Sequence, residues 1–202
     1  MNMDLDTILY YSMLAAAALI SLTLHECAHG YTALLLGDPT AKASGRLTLN
    51  PVKHIDIFGL VMMILLKIGY AKPVPINPYY FRNRKRGIFL TSAAGPAANL
   101  ILAVLFGRLT AASLRGGWNI YLVLFFVLMC QLNVGLAVFN LLPFPPLDGS
   151  KMFVSLLPAK WEQMFYRYQK YFYGIVLILY FTRVLNKIID PVINYIDRLL
   201  IS

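Results

Sequence analysis

The sequence predicts an all-α polytopic membrane protein, with about four transmembrane helices, a re-entrant segment and a small β element at the membrane edge. Three observations carry that prediction. Of 202 residues, 59% are hydrophobic and only 13% are charged, where soluble domains carry about 25% charged residues. Apolar runs of membrane length recur along the chain, with short polar stretches between them. The basic residues gather in those stretches, and with four crossings thirteen of the eighteen Lys and Arg fall on one side. Loops facing anionic lipid therefore account for the net charge of +9, and no nucleic-acid partner is implied. A single domain is expected over residues 1–202, with its core at 7–150 and C-terminal interfacial and transmembrane helices at 151–202.

Met1 to Asp6 carries Asp4 and Asp6 and no basic residue, unlike the positive start of a cleavable signal peptide. The apolar run Thr7–Leu36 is then expected to be the first spanning helix. Its thirty residues would extend about 44 Å, more than the roughly 30 Å hydrocarbon core, so it tilts or protrudes. Gly37-Asp38-Pro39 stops it. The only charged residue inside the run is Glu26, within His25-Glu26-Cys27-Ala28-His29.

That pentapeptide is the chemical signal of the chain. On a helix, residues four apart share a face, so the His25 and His29 rings can share one metal ion. Glu26 is one step round, beside the metal without binding it. This is the H-E-x-x-H arrangement, in which two neutral imidazoles hold zinc and the carboxylate takes a proton from water. Two histidines four apart can also be ordinary surface residues. Here they sit with a glutamate in a membrane-length run, where each ionisable residue costs about 2.5 to 3.5 kcal/mol. Idle residues at that cost are disfavoured, so a functional role is expected.

Arg46 to Asn50 alternates polar and apolar residues, which predicts a short strand or hairpin. His54 follows, either as a ligand, as a substrate contact or as a hydrogen-bonded structural residue. Phe58–Ile68 is apolar but too short to span, and suits a re-entrant segment. Pro73, Pro75 and Pro78 mark a loop that ends in Arg82, Arg84, Lys85 and Arg86. Gly87–Phe106 is expected to span, and contains Gly95-Pro96-Ala97-Ala98-Asn99. Asn99 needs an internal partner in lipid, whether another helix, the site or substrate.

Trp118–Leu142 is the third expected span, with Gln131, Asn133 and Asn140 giving it a polar side. It breaks at Pro143, Pro145 and Pro146, just before Asp148 and Gly149. Two histidines and one carboxylate form a known catalytic zinc shell, which makes Asp148 the expected third ligand. Lys151–Lys170 is basic, aromatic and amphipathic, as an interfacial helix is. Tyr171 to about Leu185 is the fourth expected span, and the tail after Pro191 is expected to lie on the membrane surface. Cys27 and Cys130 both fall in apolar runs and are read as buried fillers rather than a disulfide.

His25-Glu26-x-x-His29, followed by Asn140-x-x-Pro143-x-Pro145-x-Leu147-Asp148-Gly149, resembles the site-2 protease family of intramembrane zinc metalloproteases. Gly95-Pro96-x-x-Asn99 is similar to that family's middle helix, and the resemblance covers about Ser21 to Gly149. It resembles the short prokaryotic branch, without PDZ or CBS domains. The resemblance implies one zinc per chain held by His25, His29 and Asp148, with Glu26 as the catalytic base. It implies hydrolysis of peptide bonds in or near transmembrane segments of membrane protein substrates within the bilayer. Asn140, Asn99 and His54 are candidate substrate or oxyanion contacts, and Arg46–Asn50 a candidate edge for pairing with unwound substrate. If 58–68 does not cross, charge bias puts the N-terminus outside and the site opening toward the cytoplasm.

Two rival readings are a catalytically silent, zinc-stabilised regulatory protein and a metal or proton transporter. A purely structural site has no need of Glu26. A transporter predicts internal repeats or further polar residues along the helices, and Gln131, Asn133 and Asn140 are the nearest approach.

Overall fold

The computed structural model describes residues 4–56 and 72–201. Among them the chain is helical apart from loops, two 3-10 turns and an isolated bridge at Ile55. Helix α1 runs Leu5–Leu35. Asp4 caps it, accepting from the Thr7 N–H at 2.9 Å. At its other end Gly37 adopts φ +104°, and the Gly37 and Asp38 N–H groups donate to the Leu34 and Ala33 carbonyls. That closure needs a residue without Cβ. Asp38 is wholly buried and its carboxylate accepts from the N–H groups of Thr40 at 2.9 Å and Asn77 at 2.6 Å. It thereby anchors both the short helix α2 (Thr40–Ala43) and the proline-rich segment 72–77 to the end of α1.

The strand expected at Arg46–Asn50 does not form; these residues make a bend leading into the 3-10 turn Pro51–His54. Side chains take the backbone groups a strand would need. The Thr48 carbonyl accepts from His54 Nε2 at 2.9 Å and from the Cys27 thiol at 3.1 Å, and Asn50 caps the turn by accepting from the Val52 N–H. The re-entrant segment expected at Phe58–Ile68 lies outside the described residues.

Helix α3 (Arg84–Arg115) begins at Asn83, whose side chain accepts from the Arg86 N–H, and carries Pro96 in its interior. Helix α4 (Ile120–Asn140) begins at the Asn119 cap. α1, α3 and α4 pack on one another through wholly buried small residues, Ala17, Ala103 and Ala137 among them, which allow backbones to approach closely in the absence of a hydrophobic drive. Among the described residues these three helices are long and apolar enough to cross a membrane.

The C-terminal part differs from the expected pattern. After α5 (Asp148–Leu156), helix α6 runs unbroken over Ala159–Phe181, so Tyr171–Leu185 is not a separate element. Arg84 pairs with Glu162 at 2.6 Å and ties the start of α6 to the start of α3. The chain turns at Arg183, with φ 57°, into helix α7 (Val184–Ile201). Ile193, Ile196 and Leu200 of α7 pack against Ala103, Cys130 and Val134 of α3 and α4. The tail after Pro191 is therefore docked on the bundle rather than free on the surface. Gly107 makes the seat: a Cβ there would stand 2.7 Å from the Leu200 Cβ.

Candidate metal centre

The four-residue spacing on α1 sets the His25 and His29 rings edge to face, with centroids 4.6 Å apart. α3 crosses them at Gly95. A Cβ at that position would lie 2.6 Å from His25 Nε2 and closer still to His29 Nε2, so only glycine lets α3 approach. Pro96 cannot donate to the Ser92 carbonyl and its ring presses on that turn. The neighbouring Thr91 carbonyl accepts from His29 Nδ1 at 2.7 Å.

The third member arrives from the break after α4. A Cβ on Gly149 would collide with the Leu141 carbonyl, so glycine lets the chain fold back over the end of α4. Asp148 then opens α5 and turns inward, 5% exposed. Its Oδ2 lies 3.2 Å from His25 Nε2 and 3.0 Å from His29 Nε2. The Lys151 ammonium lies 3.1 Å from its Oδ1.

These residues fit a bound cation. His29 Nδ1 spends its proton on a carbonyl, and His25 Nδ1 lies 2.5 Å from Asn99 Oδ1. Each neutral ring then turns a bare Nε2 lone pair inward. The two Nε2 atoms are 3.0 Å apart, and both face a carboxylate oxygen. Three acceptors so close repel one another unless a positive charge lies among them. Their 3.0 to 3.2 Å separations approach the edge of a tetrahedron around zinc, roughly 3.3 Å for bonds of about 2.0 Å.

Glu26 is half-buried beside this cluster, its Oε2 accepting from the Val74 N–H at 2.8 Å. A cavity of about 420 Å³ joins His25, His29, Glu26, Asp148 and Asn140. Asn140 borders it with one amide N–H donated to the Leu136 carbonyl at 3.0 Å. Asn99 is wholly buried and touches His25 instead of bordering the cavity. His54 is not brought to the cluster; it is buried against Thr48 and Cys27.

Sequence reasoning missed several participants. Asn133 was visible only as part of a polar helix side, yet it bonds Asn99 at 2.7 Å. Lys151 could have been found from its position one turn after Asp148. Thr91 and Val74 act through their main chains, for which side-chain identity carries no signal.

The model of Peptidase family M50 matches residues 107–182. The chain is 36% identical over 205 residues to "Putative zinc metalloprotease YwhC" of Bacillus subtilis, covering 94% of this chain and 92% of that one. It is 33% identical over 186 residues to "Putative zinc metalloprotease Rip2" of Mycolicibacterium smegmatis, covering 88% of this chain and 70% of that one. No solved structure matches. Relatedness along nearly the whole of both chains, joined to the matching family model, makes this protein a member of Peptidase family M50, a zinc metalloprotease built on membrane helices.

Proposed function

We propose that His25, His29 and Asp148 hold the zinc of an intramembrane metalloprotease and that Glu26 is its general base. The observation that carries this reading is the convergence of two bare imidazole nitrogens and one carboxylate oxygen on a single point beside Glu26. Zinc held there would supply a Lewis acid that polarises the scissile carbonyl and lowers the pKa of water to about 7. The chain's own groups do the rest. Glu26 takes a proton from the attacking water and delivers it to the leaving amine. Asn140 keeps one amide N–H beyond its bond to Leu136, and it donates to the oxyanion. Asn99 acts on His25 rather than on substrate. His54 is structural, since its Nε2 is spent on the Thr48 carbonyl.

The substrate is a transmembrane protein segment that enters in extended form, because a helix hides its carbonyls in its own hydrogen bonds. The segment 72–77 borders the cavity, and the Val74 N–H occupies Glu26, so it must move aside when the base works. The crossings are formed by α1, α3 and α4, which are long and apolar enough to span. The basic residues between α1 and α3 and those after α4 then share one side, and the site opens toward the cytoplasm from the basic end of α3.

The test compares membrane proteomes of cells that carry either the native chain or Glu26→Gln. Intact membrane proteins that accumulate in the Glu26→Gln cells, and are cut by the purified native chain in vesicles, are the expected outcome. Equal cutting by Glu26→Gln would remove the assigned base.

A further inference from the structure

We infer that Asn133, which touches no ligand of the metal, fixes the orientation of His25 through Asn99, and that a main-chain carbonyl sets the direction of the whole chain of bonds. This rests on the reading of His25 as a zinc ligand. The argument starts at Met129, whose carbonyl can only accept. Asn133 Nδ2 lies 2.7 Å from it and 2.8 Å from Ser21 Oγ, so the amide nitrogen must face that way. Asn133 Oδ1 is thereby turned toward Asn99, whose Nδ2 donates to it at 2.7 Å. Asn99 must then present Oδ1 to His25 Nδ1, at 2.5 Å. A carbonyl oxygen accepts, so the ring proton resides on Nδ1 and the Nε2 lone pair is free for the metal.

No link is solvated: Ser21, Asn99 and Asn133 are each 0% exposed. Water therefore cannot supply a substitute partner, and each amide has the one orientation its neighbour permits. The relay also crosses three helices, from Ser21 on α1 through Asn133 on α4 to Asn99 on α3. Without Asn133, Asn99 loses the acceptor that holds its Nδ2 outward. It is then free to turn over and donate to Nδ1. The proton would move to Nε2 and oppose metal binding. Asn133 is a positioning residue, two hydrogen bonds removed from the zinc.

The experiment measures zinc affinity by chelator competition on the full chain in vesicles, with thermal unfolding in excess chelator as the check on folding. The variants are Asn133→Leu, Asn99→Asp, the pair together, and His25→Ala. Asn133→Leu is expected to weaken zinc binding by about 10- to 100-fold, the usual range for groups that orient a ligand. A carboxylate at position 99 has no donor end, so it accepts from His25 in either orientation. Asn99→Asp is therefore expected to restore affinity in the Asn133→Leu background to within about threefold of Asn99→Asp alone. A role in helix packing would give no such rescue. Nitrogen NMR of the imidazoles in the zinc-free protein should show the His25 proton on Nδ1 in the native chain and not in Asn133→Leu. Native affinity in folded Asn133→Leu, or loss of affinity without rescue by Asn99→Asp, overturns the inference. His25→Ala separates the two levels: if it too keeps native affinity, the ligand assignment itself is wrong.

Discussion

Replacing Gly95 by alanine puts a methyl group where the cluster expects its metal. The added carbon would stand 2.6 Å from His25 Nε2 and nearer to His29 Nε2, where ordinary contact is about 3.5 Å. His25 must withdraw by roughly 0.9 Å and His29 by more, while metal sites tolerate only about 0.2 Å in ligand distance. Zinc affinity should fall at least about 100-fold, near 2.7 kcal/mol. The fold responds differently. Alanine in a helix interior is better than glycine by about 1 kcal/mol, and overpacking costs about 1 to 3 kcal/mol. The zinc-free protein should therefore lose at most about 2 kcal/mol. The assay pairs chelator competition with thermal unfolding in excess chelator, both in vesicles. A folded Gly95→Ala chain that binds zinc as the native one does would refute the claim that α3 presses its backbone against the two imidazoles.

Other substitutions separate the remaining roles. Glu26→Gln should keep one zinc per chain and lose about 10²- to 10⁴-fold in cleavage rate; zinc analysis beside a cleavage assay checks both halves. Asn140→Ala should lower kcat by about 10²- to 10³-fold with zinc content unchanged, whereas a rise in KM alone would argue against an oxyanion donor. Gly107→Leu should unseat α7, since a Cβ there already meets Leu200 at 2.7 Å and Cys130 Sγ at 3.3 Å. Limited proteolysis would then cut near Arg183 several-fold faster, and an unchanged rate would contradict the docking.

The convergence of His25, His29 and Asp148 could be read from the sequence because a metal site ties residue types to fixed spacing. His25 and His29 declare themselves by their four-residue interval, and Asp148 by the prolines that end α4. The three apolar spans were legible for the same reason, as length and composition alone define them. The C-terminal boundaries were not legible, because Tyr171–Phe181 continues the helix that begins at Ala159. The apolar face of α7 recurs at Leu185, Ile189, Ile193, Ile196 and Leu200, and both Leu185 and Ile189 are buried. Which helix docks depends on Gly107 on another element, a tertiary fact. The strand at Arg46–Asn50 failed because His54 and Cys27 claim the Thr48 carbonyl, and no local alternation reveals a side chain that arrives from elsewhere. Asn133 was visible as a polar residue in an apolar helix, but its partners lie 34 and 112 residues away.

The most direct test of the account is zinc-edge X-ray absorption on the native chain and on Asp148→Cys. If residue 148 shares one ion with His25 and His29, the substituted chain should show a zinc–sulfur distance of about 2.3 Å beside imidazole nitrogens near 2.0 Å, and the native chain should show no sulfur. Cys27 and Cys130 are present in both and provide the internal control. A zinc-loaded Asp148→Cys chain with only nitrogen and oxygen neighbours would contradict the assignment of that position to the metal.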